Sequence, residues 1–171
     1  NRESMGVSWL PLFHDMGLIG FVFTPIVFNV RGVSFASPLA FLKRPALWLS
    51  MISRERGSIT FAPNFAYGLA TKRVKDSELE GVDLSSIRVA GCGAEPIQFD
   101  TLDAFSRRFA PWGFRREMFL PCYGMAEHSL AITFIGLDED LRADHVDAAA
   151  LAQGEALAAS DELIASGQGV V

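Results

Sequence analysis

The sequence predicts an α/β fold with a mostly parallel sheet and helices on both faces. Two observations predict it. Short apolar segments rich in β-branched and aromatic residues alternate with longer amphipathic ones, as in successive βα units. Several of the short segments end in turns of glycine, proline and ligand-competent polar residues, and open α/β sheets bind ligands at the carboxyl ends of their strands. A chain of 171 residues is long enough to bury one core of ordinary size.

The elements follow in order. Gly6–Leu10 reads as a strand that Pro11 ends, leading to a loop with His14 and Asp15. Met16 to about Val30 reads as a buried apolar helix. Its run from Gly17 to Val30 contains Thr24, Pro25 and Asn29, and is shorter than the roughly 20 apolar residues that span a bilayer. Val33–Ala36 is a second strand. Arg44–Glu55 places Leu47, Trp48, Met51 and Ile52 on one helical face, with Gly57 as its terminating C′ glycine.

Ser58–Phe61 is a third strand, and Pro63-Asn64 opens a helix whose last turn, Lys72 to Lys75, carries basic residues that suit the helix dipole. Residues 76–86 form a polar loop. Ile87–Ala90 is a fourth strand with Phe99–Phe109 as its crossover helix, Arg116–Cys122 a fifth, and Ser129–Phe134 a sixth. From Leu137 the character shifts: an acidic cluster, Asp138-Glu-Asp140, precedes an Ala-rich stretch from Asp147 to Ala159 that suits a solvated surface helix. Gly167 to Val171 reads as the start of another strand. The ends of the sequence read as cut.

Composition excludes several classes. Half the residues are hydrophobic and a fifth are charged, which argues for globular material. A net charge of −5 gives no basic footprint for nucleic acid. Cys92 and Cys122 stand apart, without metal-ligand spacing, and read as small buried thiols in a reducing, cytoplasmic compartment.

Three strings carry the chemistry. In Pro121-Cys-Tyr-Gly-Met-Ala-Glu-His128, Tyr123 offers a flat ring for a nucleobase and Gly124 allows close backbone approach. Glu127 offers hard oxygens for Mg²⁺, which takes few protein carboxylates and completes its shell with substrate phosphates. Read alone, the same string also suits an ordinary loop turn. The second string is Trp9-Leu-Pro-Leu-Phe-His-Asp-Met-Gly-Leu-Ile-Gly20, in which His14 suits either a phosphate or carboxylate contact or a satisfied core position. The third is Ala90-Gly-Cys-Gly-Ala-Glu-Pro96, whose small residues allow close backbone approach and whose Pro96 stiffens the turn. Glu95 suits a backbone hydrogen bond or open water equally.

Together, in this order, the three strings resemble the superfamily of adenylate-forming enzymes: acyl-CoA synthetases, peptide-synthetase adenylation domains and luciferases. The forms Gly-Ala-Glu-Pro, Tyr-Gly-Met-Ala-Glu and Pro-Asn-Phe-Ala-Tyr are most similar to the fatty acyl-AMP ligase branch. The resemblance runs from about Val7 to Leu130. It implies that residues 1–136 form the central part of an AMP-binding N-terminal domain. It also implies that 137–171 hold a branch-specific insertion disfavouring CoA, followed by the start of the next strand.

The resemblance implies ATP-dependent activation of a fatty acid to an acyl-adenylate, with ATP/AMP and Mg²⁺ as cofactors. An acyl carrier protein or phosphopantetheinyl carrier domain accepts the acyl group, with CoA as the alternative acceptor. No nucleic acid and no membrane span are implied. The alternatives are a long-chain acyl-CoA synthetase, a catalytically dead adenylate-binding module and a fragment with only a structural role.

By the same resemblance His14 and Glu127 are catalytic and Glu127 holds the metal. Gly93, Ala94, Glu95, Pro96, Cys122, Tyr123, Gly124, Met125 and Ala126 bind the adenylate. His14, Phe61, Asn64, Phe65, Tyr67 and Met125 meet the fatty acid, although Phe65 and Tyr67 also suit plain core. Two departures stand out. Ala126 replaces the threonine of most of the superfamily, as it does in the acyl-AMP ligase branch. Phe61-Ala62 stand where that branch more often has glycines, which bears on the depth of the acyl pocket. The family's phosphate loop, ribose-binding aspartate and catalytic lysine have no counterpart among these residues.

Overall fold

The computed structural model describes residues 2–137, 139–166, 169 and 170. The chain divides into two compact units, Asn1–Leu141 and Arg142–Val171. In the first, strands β1 (Met5–Ser8), β2 (Gly32–Phe35), β3 (Ile59–Ala62), β4 (Val89–Cys92), β5 (Phe119–Gly124) and β6 (Ala131–Phe134) form a six-stranded sheet of order β2-β1-β3-β4-β5-β6. The pairs from β2 to β5 are parallel, and β6 returns antiparallel beside β5. The fold is the expected α/β architecture.

Alternation along each strand divides the helices between the two faces. From β2 the chain steps through β3, β4 and β5, with α4 (Ala46–Glu55), α5 (Asn64–Arg73) and α6 (Phe99–Phe109) covering one face. The step from β1 to β2 runs the other way, and its helical connection covers the opposite face. Right-handed crossovers require this reversal.

The α4–α6 face holds the aromatic core. Trp48, Tyr67, Phe105 and Phe119 pack edge to face or tilted against one another, with ring centroids between 5.0 and 6.3 Å apart. Their polar atoms are partnered. Trp48 Nε1–H donates to Thr60 Oγ1, whose hydroxyl donates to the Val7 carbonyl, and the Tyr67 hydroxyl donates to the Gly91 carbonyl at 2.8 Å. Burial pushes the Tyr67 phenol well above its usual range, and the neighbouring Cys92 and Cys122 push the same way.

Several expectations change in detail. The segment after His14 is helical but composite: α1 (Asp15–Leu18), a π-helical stretch Ile19–Phe23, and α2 (Thr24–Val27). It is not buried throughout, because only its first half rests on the sheet; Phe21 is buried while Ile26, Val27 and Phe28 are exposed. A short helix, α3 (Pro38–Lys43), was not expected; Ser37 caps it by accepting the Ala40 N–H. At the end of α4 the left-handed residue is Arg56, with φ of 51°, and Gly57 donates back to the Ile52 carbonyl as the second residue of a Schellman motif. Gly57 is needed for packing instead: a Cβ there would lie 2.7 Å from Val7 Cγ2.

Residues 116–118 form a 3-10 turn, so the fifth strand starts at Phe119. Within the acidic cluster Asp140 accepts two hydrogen bonds from the Arg116 guanidinium, while Asp138 lies outside the described residues.

In the second unit β7 (Val146–Asp147) pairs antiparallel with β8 (Gly169–Val170). The Ala-rich stretch is not one surface helix. Only α7 (Ala148–Leu151) forms, capped by Asp147, and the chain leaves helical conformation at Gly154, with φ of 87°. α8 (Asp161–Ala165) follows, with Ser160 as its cap. The expected final strand includes 169 and 170; positions 167, 168 and 171 lie outside the described residues. Among the described residues no helix is long and apolar enough to cross a membrane.

The Tyr67–Gly91 bond ties α5 to the middle of the sheet from the side away from the opposite helix. Replacing Tyr67 by Phe should lower the unfolding free energy by about 1 kcal/mol, the usual net worth of one buried hydrogen bond. A denaturant titration should show a lower midpoint at unchanged slope. A midpoint equal to that of the parent would show that the bond contributes nothing.

Candidate functional site

The loops after β1, β4 and β5 lie at the carboxyl edge of the sheet and meet around one cleft of about 910 Å³. His14, Asp15 and Met16 line it from the first loop, Ala94 from the second, and Tyr123, Gly124, Met125, Ala126 and His128 from the third.

The second and third turns are brought together by the absence of a side chain at Gly93. A Cβ there would lie 2.8 Å from both the carbonyl oxygen and the Sγ of Cys122. Ala94 then takes a left-handed backbone, with φ of 67°. Non-glycine residues accept that conformation at a cost, and they are held in it only where their surroundings fix the turn. Two side-chain bonds fix this one. Glu95 accepts the N–H of Phe65 at the start of α5, and Asn64 Oδ1 accepts the N–H of Gln98, the cap residue of α6, at 3.1 Å. Glu95 thus bonds to backbone and serves as a helix cap.

The third turn folds just as tightly. A Cβ on Gly124 would overlap the Leu130 carbonyl, and Ser129 adopts a φ of 68°. Tyr123 is 56% exposed and has no ring partner among the described residues, so its face is available. Glu127 sits in a 3-10 turn between Ala126 and His128. It is exposed, and among the described residues its carboxylate makes no hydrogen bond or ion pair. No group of three or more His, Cys, Asp or Glu among the described residues is arranged to hold a metal. A single exposed carboxylate between two lining residues, Ala126 and His128, still fits Mg²⁺, which draws most of its ligands from phosphates and water.

His14 precedes α1 as its cap residue. Its Nδ1 lies 2.6 Å from Asp15 Oδ1, which also accepts the Met16 N–H at 2.8 Å. Nδ1 itself accepts the same Met16 N–H at 3.1 Å, so the imidazole and the Asp15 carboxylate share the first free amide of α1. Nε2 is left as the ring nitrogen open to a ligand.

Below the turns the cleft is apolar. The strand register stacks it in layers, each two residues deep, or roughly 6.6 Å at about 3.3 Å per residue. Gly93 and Cys122 form the layer at the turns, Phe61, Gly91 and Leu120 the middle one, and Val33, Gly6, Ile59 and Val89 the floor. Cys122 donates its thiol to the Cys92 carbonyl at 3.3 Å. Burial holds Cys92 up to about 12 and Cys122 up to about 11, so both stay neutral thiols at physiological pH.

The structure thus brings His14, Phe61, Ala94, Cys122, Tyr123, Gly124, Met125 and Ala126 to one cleft. Gly93 draws the two turns together, while Glu95, Pro96 and Glu127 belong to those turns without lining the cleft. Tyr67 is elsewhere: it is fully buried on the α4–α6 face, with its hydroxyl engaged. Asn64 is a buried cap partner. Phe65 lines a second, apolar groove of about 250 Å³ with Trp9, Pro38, Leu42 and Pro63. Sequence reasoning missed Ile19, Phe21, Ile59, Val89 and Leu120 as lining residues. The usable signal was period two along the strands: Ile59 with Phe61, Val89 with Gly91 and Leu120 with Cys122 share a face.

Residues 2–158 match the family described as AMP-binding enzyme. A medium-chain-fatty-acid–[acyl-carrier-protein] ligase, TtuA of Teredinibacter turnerae, is 37% identical over 154 residues, which cover 90% of this chain and 24% of that protein. A structure from work on fatty acyl-adenylate ligases of E. coli and L. pneumophila superposes with a TM-score of 0.89 at 41% identity, covering 93% of this chain and 29% of that one. The L. pneumophila enzyme in complex with acyl adenylate and pyrophosphate also gives 0.89, at 38% identity over 94% of this chain and 28% of its own. The chain therefore spans about a quarter of the length of the curated relatives it matches. With the three strings gathered at one cleft and the family matched over nearly the whole length, this chain belongs to the AMP-binding enzyme family.

Proposed function

We propose that this chain forms the acyl- and adenylate-binding part of a fatty acyl-AMP ligase. The observation that carries this reading is the joint cleft: two tight turns with a free aromatic face at its mouth, and an apolar sheet face below them. A fatty acid joined to AMP has the same division into polar head and apolar tail. In the reaction a carboxylate oxygen bonds to the α-phosphorus of ATP while the bond to pyrophosphate breaks. Both reactants are anions, so the protein's work is to align them and offset charge.

Tyr123 stacks on the adenine, and the backbone of 93–96 and 124–126 lines the nucleotide. His14, whose Nε2 has no hydrogen-bond partner among the described residues, contacts a carboxylate or phosphate oxygen at the junction of head and tail. Glu127 holds Mg²⁺, which supplies charge neutralisation on the phosphates when bound. Ala126 offers no hydroxyl to the α-phosphate, so backbone donors of the same turn take that part.

For the acceptor we infer a carrier-protein thiol. The likeness to TtuA supports this, since that ligase is named for acyl-carrier protein. So does the separate unit Arg142–Val171, which we assign as the branch-specific insertion following the catalytic turn.

In the full-length protein Glu127→Ala should lower ATP–pyrophosphate exchange by about 10- to 100-fold or more, since even residues that only orient a metal ligand are worth about that much. The fold should be unchanged, because an exposed carboxylate with no partner among the described residues contributes little stability. Exchange near the parental rate would remove Glu127 from the metal site.

Full-length protein supplied with a fatty acid, ATP, Mg²⁺ and either CoA or a holo carrier protein should accumulate acyl-AMP with CoA and acylate the carrier. Rapid acyl-CoA formation would instead make it an acyl-CoA synthetase.

A further inference from the structure

The cleft floor contains two aromatic rings, each seated against a glycine of the sheet. Phe21, from the π-helical stretch, lies close over Gly6, where a Cβ would be 3.3 Å from the ring. Phe61 lies over Gly91 on the neighbouring strand, so closely that a Cβ there would overlap the ring. The two rings meet edge to face, with centroids 6.2 Å apart at 72°. Gly91 cannot yield easily, because Tyr67 holds its carbonyl from the opposite face of the sheet. The ring of Phe61 is therefore clamped between a fixed strand and a packed neighbour.

Its level in the cleft gives this clamp a consequence. Phe61 is in the middle layer, one step below Gly93 and Cys122 and one step above Ile59 and Val89. The floor residues Val33, Gly6, Ile59 and Val89 line the same cavity, so the space continues past the ring. Unlike Tyr67, which is wholly enclosed, Phe61 presents part of its surface to the cavity. A chain entering from the turns meets Phe61 before it reaches the floor.

We propose that Phe61, backed by Phe21 and seated on Gly91, is the stop that sets the longest acyl chain this cleft accepts. The proposal rests on the reading of the cleft as an acyl site. It adds that one ring selects chain length. Removing the ring widens the passage from the middle layer to the floor, and a longer acid then buries further methylenes. Adding a methyl at Gly91 does the reverse, since it pushes the ring into the cavity.

The test is a chain-length profile of ATP–pyrophosphate exchange in the full-length protein, with saturated fatty acids of increasing length. Parent, Phe61→Ala, Phe61→Leu and Gly91→Ala are compared by kcat/KM. Phe61→Ala should favour acids longer than the parental optimum by at least about tenfold, since each further buried methylene is worth about fourfold. Phe61→Leu should move the profile the same way by less, and Gly91→Ala should move it toward shorter acids. Should Phe61→Ala fail to fold, Phe61→Leu decides. An unchanged profile, or a loss equal at every length in the folded Phe61 variants, overturns the stop and leaves acyl activation standing. A parent protein that exchanges with no fatty acid overturns both.

Discussion

The cleft depends on what β4 lacks on one face. Gly91 and Gly93 follow each other at period two, so two successive layers of that face carry no side chain. At Gly91 the bare backbone accepts the Phe61 ring; at Gly93 it accepts Cys122 and so draws the turns after β4 and β5 together. On the other face the same strand is anchored by Ala90 and Cys92 in the core and by the Tyr67 hydroxyl on the Gly91 carbonyl. One strand is thus packed densely on one side and left open on the other. A side chain at either glycine would close the cleft or part its two turns.

Holding the open side in shape falls to the ends of helices. The left-handed Ala94 is kept in place because Glu95 caps α5 while Asn64, in the first turn of α5, caps α6. The two bonds cross between the same pair of segments, so neither helix can shift without releasing the turn. Capping bonds of this kind contribute about 1 kcal/mol each, which matches the cost of one residue in a left-handed conformation. His14 and Asp15 do similar work on the third side: His14 Nδ1 and Asp15 Oδ1 both accept the Met16 N–H, which fixes the start of the helix and the orientation of the imidazole together.

Much of this was legible in the sequence. The βα alternation gave the sheet and its faces, and Phe99–Phe109 was bounded correctly because its apolar stripe is strong. The three strings gave the loops of the cleft, since tight turns need glycine and ligand turns need specific polar groups. The walls were less legible. Tyr67 and Phe61 are both aromatic and only six residues apart, yet they lie on opposite sides of the sheet. What separates them is the strand–helix junction at Pro63, where the period changes from two to 3.6. The role of Gly57 was misassigned because a helix-ending glycine usually supplies a positive φ, whereas here Arg56 supplies it. The Ala-rich stretch misled because alanine favours helix without saying what the helix packs on.

The central claim is that the adenylate sits at the turns and the acyl chain runs along the bare face of β4. A crystal structure of the full-length protein with a non-hydrolysable acyl-adenylate analogue tests it most directly. The account predicts adenine against Tyr123, the phosphate-equivalent group beside Met125 and Ala126, and the acyl chain descending toward Phe61 and Gly91. An acyl chain lodged instead in the groove of Trp9 and Phe65, or an adenylate away from Tyr123, would contradict it.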